Sequence, residues 1–180
     1  MKYDVDRPIV PDKKLPDGIA ERAPDGLSPD EAREFFMRQA LIMAKRSEES
    51  GDVPVGAVVV RHGEIIAAAF NEREKTKRAT AHAETLAIER ACRALHGWRL
   101  VACELYVTLE PCPMCAGAIA NARVPRLIIG APDPKGGAAG GMFDLFSTNI
   151  NHKPEIVRGV LEKECSALLT EFFERKRKER

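Results

Sequence analysis

Two short stretches, Thr80-Ala81-His82-Ala83-Glu84 and Pro111-Cys112-Pro113-Met114-Cys115, make chemical sense only if the fold brings them to one point. A Cys-x-x-Cys sets two thiols at i and i+3, near enough for one metal ion, but the same spacing serves redox disulfides. The histidine and the glutamate upstream decide between these uses. Zinc in catalytic sites takes three protein ligands and keeps a fourth position for water, and His82, Cys112 and Cys115 supply three. Glu84 stands two positions after the histidine, where a carboxylate can reach metal-held water without binding the metal. That is the position of a general base.

The intervening pattern alternates helix and strand signals. Ser28-Pro29-Asp30-Glu31 is a capping box with proline at the first helical position, and Ala32, Phe35, Phe36, Ala40, Met43 and Ala44 recur at helical spacing up to Ser50-Gly51. Val53 to Arg61 and Glu64 to Ala69 read as a hairpin about His62-Gly63, with Asn71 after its second strand. Thr80 can cap a helix carrying Ala83, Leu86, Ala87, Ala91 and Leu95, with His82 and Glu84 in its first turn. Leu105 to Leu109 is a strand, Pro111 to Asn121 a short helix with both cysteines at its start, and Arg126 to Ala131 another strand. Asp133 to Gly141, rich in glycine, is a loop. An extended piece at 155–158 precedes a last helix whose stripe is Leu161, Cys165, Leu168, Leu169 and Phe172.

This order predicts an α/β fold in three layers, a mixed sheet of about five strands flanked by helices. In such sheets functional groups collect where strands hand over to helices, and both stretches lie at such handovers. Residues 1–27 hold four prolines, many charges and no periodicity, which predicts a flexible extension ahead of a single domain over 28–180.

Composition removes several classes. A net charge of +1 excludes a uniformly basic nucleic-acid coat but allows local patches. Two basic groups stand out: Lys75, Lys77 and Arg78 before the motif helix, and Arg175, Lys176, Arg177, Lys178 and Arg180 at the end of the chain. The second also fits a solvated helix end whose cations suit the helix dipole. No apolar run approaches the roughly 18 residues of a membrane span. The five cysteines, with no export signal apparent, favour a reducing cytoplasm with thiols used as ligands or small core residues.

The metal reading has competitors. Cys-x-x-Cys alone suits a thioredoxin-like redox protein, and a structural zinc site needs a fourth ligand that no thiol or imidazole at motif spacing supplies. His62, His96 and His152 read as surface or hydrogen-bonding residues, Cys92 and Cys165 as core residues, and Met114 as packing. A zinc ion with two thiolates and a neutral imidazole sums to zero charge, so its water is less acidic than with three histidines and needs a nearby base. Glu84 fits that need.

His-x-Glu followed by Pro-Cys-x-x-Cys is the signature of zinc nucleobase deaminases. From about Ser28 onward the chain resembles the bacterial tRNA-specific adenosine deaminases of the cytidine-deaminase-like fold. The likeness runs through Val53-Pro54-Val55-Gly56-Ala57-Val58, Thr80 to Glu84, Tyr106 to Ala118, Asp133-Pro134-Lys135-Gly136-Gly137-Ala138, Asn151-His152-Lys153 and Cys165 to Leu169. The resemblance implies a homodimer with one zinc ion per chain, acting on the wobble adenosine of a tRNA anticodon stem-loop. It implies that Asn71 hydrogen-bonds the target base, that the stretch through Glu110 and Pro111 lies beside it, and that Asp133 and Lys135 belong to a loop near the substrate strand. Asn71 and Asp133 also read as turn residues. The chain departs from the family at Arg78-Ala79, where a proline commonly precedes the Thr-Ala-His-Ala-Glu stretch. A deaminase of free bases or nucleosides, such as guanine or cytosine, shares the metal chemistry, and a non-catalytic zinc-containing RNA-binding module is a third class that Glu84 argues against.

Overall fold

The structure, a computed structural model, describes residues 15–179. Helix α1 (Pro29–Glu48) opens as the capping box requires: the Ser28 hydroxyl accepts the Glu31 N–H, and the Glu31 carboxylate accepts the Ser28 N–H at 2.8 Å. Strands β1 (Gly56–Arg61) and β2 (Glu64–Phe70) form the hairpin. A short helix α2 (Arg73–Thr76) then leads to α3 (Ala83–Ala94). Next come β3 (Cys103–Leu109), α4 (Pro113–Asn121), β4 (Arg126–Ala131), a single 3-10 turn at Leu145–Ser147, β5 (Glu155–Val157) and α5 (Glu162–Lys178).

The five strands lie in the order β2-β1-β3-β4-β5. β1 runs antiparallel to both β2 and β3, whereas β3, β4 and β5 are parallel. β2, β3 and β4 therefore finish at one edge of the sheet, where β1 begins. Alternation along the strands fills two cores. Ala57, Val59, Leu105, Val107, Leu127 and Ile129 face Leu86, Ala87, Ala91, Ala116 and Ile119 of α3 and α4. Val58, Val60, Tyr106 and Ile128 face Phe36, Met37, Ala40 and Met43 of α1 and Cys165 of α5. The expected three layers and mixed five-stranded sheet are present. Each of the larger apolar side chains in these cores contributes about 1.5–3 kcal/mol by leaving water.

Two local expectations need correction. Residues 15–27 do not behave as a flexible extension: Leu15, Ile19 and Ala23 pack on the α1 side of the sheet, the Ala20 N–H donates to Gln39 (2.9 Å), and the Ile65 N–H donates to the Glu21 carbonyl (2.7 Å). The physical reason is that β2 is an edge strand whose outer groups need a partner, and this segment pairs with its first residues, Glu64 and Ile65, while packing its few apolar residues on the core. The rest of the expected extension, residues 1–14, lies outside the described residues. Thr80 is not the cap of α3; His82 occupies that position and Thr80 instead accepts the Thr85 hydroxyl at 2.6 Å. Helix α2 falls in a segment singled out only for its basic residues, and the 3-10 turn in one that the sequence pattern leaves unassigned.

Candidate active site

The sheet topology explains how distant residues meet. The segments after β2, β3 and β4 all leave the same edge, and they carry Asn71, Glu110 to Cys112, and Asp133 respectively. His82 and Cys112 take the N-cap positions of α3 and α4, both in extended backbone with no side-chain capping bond, so their side chains are free for other work. Cys115 follows in the first turn of α4. The positive ends of both helices thus point at the cluster, which favours anionic sulfur and oxygen there.

His82, Cys112 and Cys115 have their ligand atoms within 4.8 Å of one another. His82 Nδ1 is 3.7 Å from Cys112 Sγ and 3.5 Å from Cys115 Sγ. A tetrahedral zinc with ordinary Zn–N and Zn–S lengths sets nitrogen and sulfur about 3.6 Å apart. The three side chains fit that ion. Cys115 is buried while His82 and Cys112 are half-buried, so one side of the cluster stays open to a substrate.

The three side chains strongly influence one another's protonation. A hydrogen bond from Cys115 is the main cause that pulls the Cys112 thiol down to about 4, with further help from His82. The same contacts push His82 and Cys115 up, His82 chiefly through its bond to Cys112 and Cys115 through its bond to the Cys112 sulfur. Glu84 is 3% exposed. Burial is the largest influence on it and raises its carboxyl from 4.5 to about 6, and its side chain also engages the Cys115 thiol. A carboxyl poised near neutral pH beside such a cluster is suited to moving protons in both directions.

The other residues singled out by sequence fall into different environments. The Asn71 amide is buried; its oxygen accepts the Ala83 N–H (2.9 Å) and its nitrogen donates to the Val53 carbonyl (3.1 Å). An amide nitrogen carries two hydrogens, and the bond to Val53 uses one of them. Asn71 therefore fixes the start of α3. Pro111 is buried, and its carbonyl accepts the Ala138 N–H at 2.8 Å. The Glu110 side chain does not face the cluster. It accepts the N–H groups of Asp133 (2.9 Å), Ala139 (2.8 Å) and Gly141 (2.8 Å). A Cβ on Gly137 would fall 2.3 Å from its carboxyl carbon and one on Gly141 2.5 Å from its oxygen, so glycine is required at both. Asp133 shapes its own turn, its Oδ1 accepting the Lys135 and Gly136 N–H groups at 3.0 Å each. The Lys135 side chain is exposed.

Beside Asn71 runs a groove of about 430 Å³, lined on one side by Gly51, Asp52, Val53, Asn71, Arg73 and Glu74 and on the other by Phe172, Phe173, Lys176 and Arg177 of α5. The structure thus brings two of the five C-terminal cations to the groove beside Asn71, and Arg180 lies outside the described residues. Arg175 pairs instead with Glu48 of α1, and Lys178 is exposed outside the groove lining. Of the other basic group, Lys75 lies 3.8 Å from Glu72 and Lys77 3.3 Å from Glu74, both at the surface, and Arg78 is exposed. Arg73 is a groove residue that sequence reasoning misses, and its charge reaches His82, where it opposes protonation. A cation on the segment just before the motif helix is the available signal.

Fold and site define the class of protein, and a family model of the MafB19-like deaminases matches residues 31–177. The tRNA-specific adenosine deaminase of Bacillus subtilis (strain 168) is 52% identical over 148 residues, which cover 82% of this chain and 92% of that protein. A solved tRNA:A34 deaminase, studied for A-to-I editing at the wobble position of transfer RNA, shares 44% identity with a TM-score of 0.71 and covers 74% of this chain and 98% of its own. A guanine deaminase from Bacillus subtilis has the same fold more distantly, with 34% identity and a TM-score of 0.54 over 69% of this chain and 82% of its own. Within the deaminase class, the chain belongs to the tRNA-specific adenosine deaminase family.

Proposed function

We propose that the protein is an enzyme that hydrolyses adenosine to inosine at the wobble position of a tRNA anticodon, with one zinc ion held by His82, Cys112 and Cys115. The observation that carries the chemistry is the buried Glu84 carboxyl set against Cys115 in a three-ligand cluster; family membership supplies the substrate. Zinc bound there supplies Lewis acidity that makes water a nucleophile near neutral pH. Glu84 accepts a proton from the water that adds to C6 and delivers it to the adjacent adenine ring nitrogen; it then takes the proton of the new C6 hydroxyl and passes it to the amine, so that the C6–N bond breaks, ammonia leaves and the C6 carbonyl of inosine remains. Asn71 orients the base with its remaining amide hydrogen, and the backbone at Glu110 and Pro111 lies along the base edge. The loop carrying Asp133 and Lys135 borders the substrate strand.

An anticodon loop suits this site because its adenine is unpaired, whereas a base in a duplex costs a few kcal/mol of unstacking and unpairing to expose. Lys176 and Arg177 take the RNA backbone in the groove beside Asn71, and Lys75, Lys77 and Arg78 add phosphate contacts from the segment before α3. The catalytic unit spans 28–180 and works as a homodimer; Met114, Met142 and Phe143, all exposed on segments that converge at Pro111, support an apolar contact between copies. A tRNA substrate and cysteines that form no disulfide among the described residues support a cytoplasmic enzyme. No helix of the described residues is long and apolar enough to cross a membrane.

Incubating purified protein with an anticodon stem-loop, the same RNA annealed to its complement, adenosine, cytidine and guanine, with products read by mass spectrometry, tests this reading. The expected outcome is inosine at the wobble position of the stem-loop, formed at least about 100-fold faster than in the duplex, as unstacking and unpairing of a few kcal/mol requires. Turnover of free guanine with the stem-loop untouched would transfer the assignment to the free-base deaminases.

A further inference from the structure

Asp52 is a buried carboxylate that the reaction does not use. It is 3% exposed and precedes β1 at the edge of the sheet where the site lies. Its Oδ1 accepts the Glu74 N–H at 2.9 Å, and its Oδ2 accepts the Lys75 N–H at 3.3 Å and the Ser50 hydroxyl at 3.1 Å. The two N–H groups belong to α2, which is four residues long, buries no side chain and has no side-chain cap of its own. A helix this short does not sustain itself, because nucleation costs more than one turn of hydrogen bonds returns. Its position must come from outside contacts, and Asp52 is the only side chain among the described residues that supplies two of them. The first residue of α2 is Arg73, which lines the groove shared with Asn71, Lys176 and Arg177.

We propose that Asp52 is a positioning residue that holds α2, and through it the Arg73 guanidinium, in place to receive a phosphate of the anticodon strand. This rests on the tRNA reading above. Asparagine at position 52 keeps the volume but leaves one acceptor for the two N–H groups and sets an N–H donor against the other. The hold on α2 is weakened while the surrounding core is untouched.

The test is a double-mutant cycle with D52N, R73A and the combined variant. Zinc content, steady-state kinetics on an anticodon stem-loop, and hydrogen exchange read by mass spectrometry are measured for each. Each single substitution is expected to raise KM about 10-fold with the loss falling on KM rather than kcat, and the combined variant also about 10-fold, because both remove one contact. Exchange rises in D52N across 72–78, and zinc content stays at the parent level. A combined loss near 100-fold, the product of two independent effects, overturns the proposal. So does unchanged exchange in 72–78, or faster exchange that extends through α3 and β3, which marks a merely structural role. Failure of the tRNA reading shows separately, as parent protein that leaves the stem-loop unmodified before any substitution is made.

Discussion

Glu84 illustrates what burying a carboxyl costs a fold. Because burial lifts its carboxyl to about 6, the folded chain binds this proton more tightly than the unfolded chain, where the value is 4.5. Stability therefore falls as pH rises from about 4.5 to about 6, and the full cost, on the order of 2 kcal/mol, stands above that window. In metal-free protein, Glu84→Gln should be more stable than the parent by about this amount at pH 7.5, with the difference vanishing near pH 4 in urea titrations. Loaded with zinc, the same variant should keep its metal and its RNA affinity while turnover drops by more than about 100-fold, the range of one acid-base group. Near-parental turnover would remove Glu84 from the mechanism. The sequence shows Glu84 plainly because a carboxylate two positions after His82, with a Cys-x-x-Cys downstream, matches the spacing that proton transfer beside a metal needs. The work of Glu110 and Asp52 is hidden, since each serves backbone N–H groups that any residue carries; only the glycines at 137 and 141 hint that something lies close to that loop.

Among the elements, those that bury a periodic face are readable in the sequence and those that do not escape it. β4 matches its expected bounds, Arg126–Ala131, and α1 and α4 lie within two residues of theirs. Helix α2 has no buried residue, hence no apolar period to detect, and the segment over β2 hides its three packed residues among prolines and charges. The C-terminal helix is a mixed case: its apolar stripe is readable, but which of its cations face the site depends on its rotation about the helix axis. Lys176 and Arg177 line the groove, whereas Arg175 is held by Glu48. Single-stranded RNA loses about 0.7 in the slope of log K against log salt per phosphate contact removed. Replacing Lys176 and Arg177 together by alanine should flatten that slope by about 1.4 on matched and unrelated stem-loops alike, because phosphates carry no sequence information. Arg175→Ala should leave the slope where it was. Equal effects from both variants in a salt titration would mean that the tail acts only through bulk charge.

For the chain as one body, the candidate metal joins parts that the sheet alone leaves separate. His82 comes from the crossover that joins β2 to β3, and Cys112 and Cys115 come from the one that joins β3 to β4; both helices lie on the same face. An ion shared between their first turns ties the two crossovers together at the edge where every site residue gathers. Because the unfolded chain cannot offer the three ligands at once, metal affinity becomes folding stability. At free zinc about 100 times its dissociation constant the gain is about 2.7 kcal/mol, which for a chain of this length moves the thermal midpoint by roughly 5–10 °C. Calorimetry of zinc-loaded and chelated protein should show that difference, and His82→Ala, which lacks one ligand, should show much less of it. Glu84→Gln should keep it, since the carboxyl is not a ligand. If loaded and chelated parent protein melt together, the three side chains are not holding an ion, and the cluster would have to be read as the thiol pair of a redox site instead.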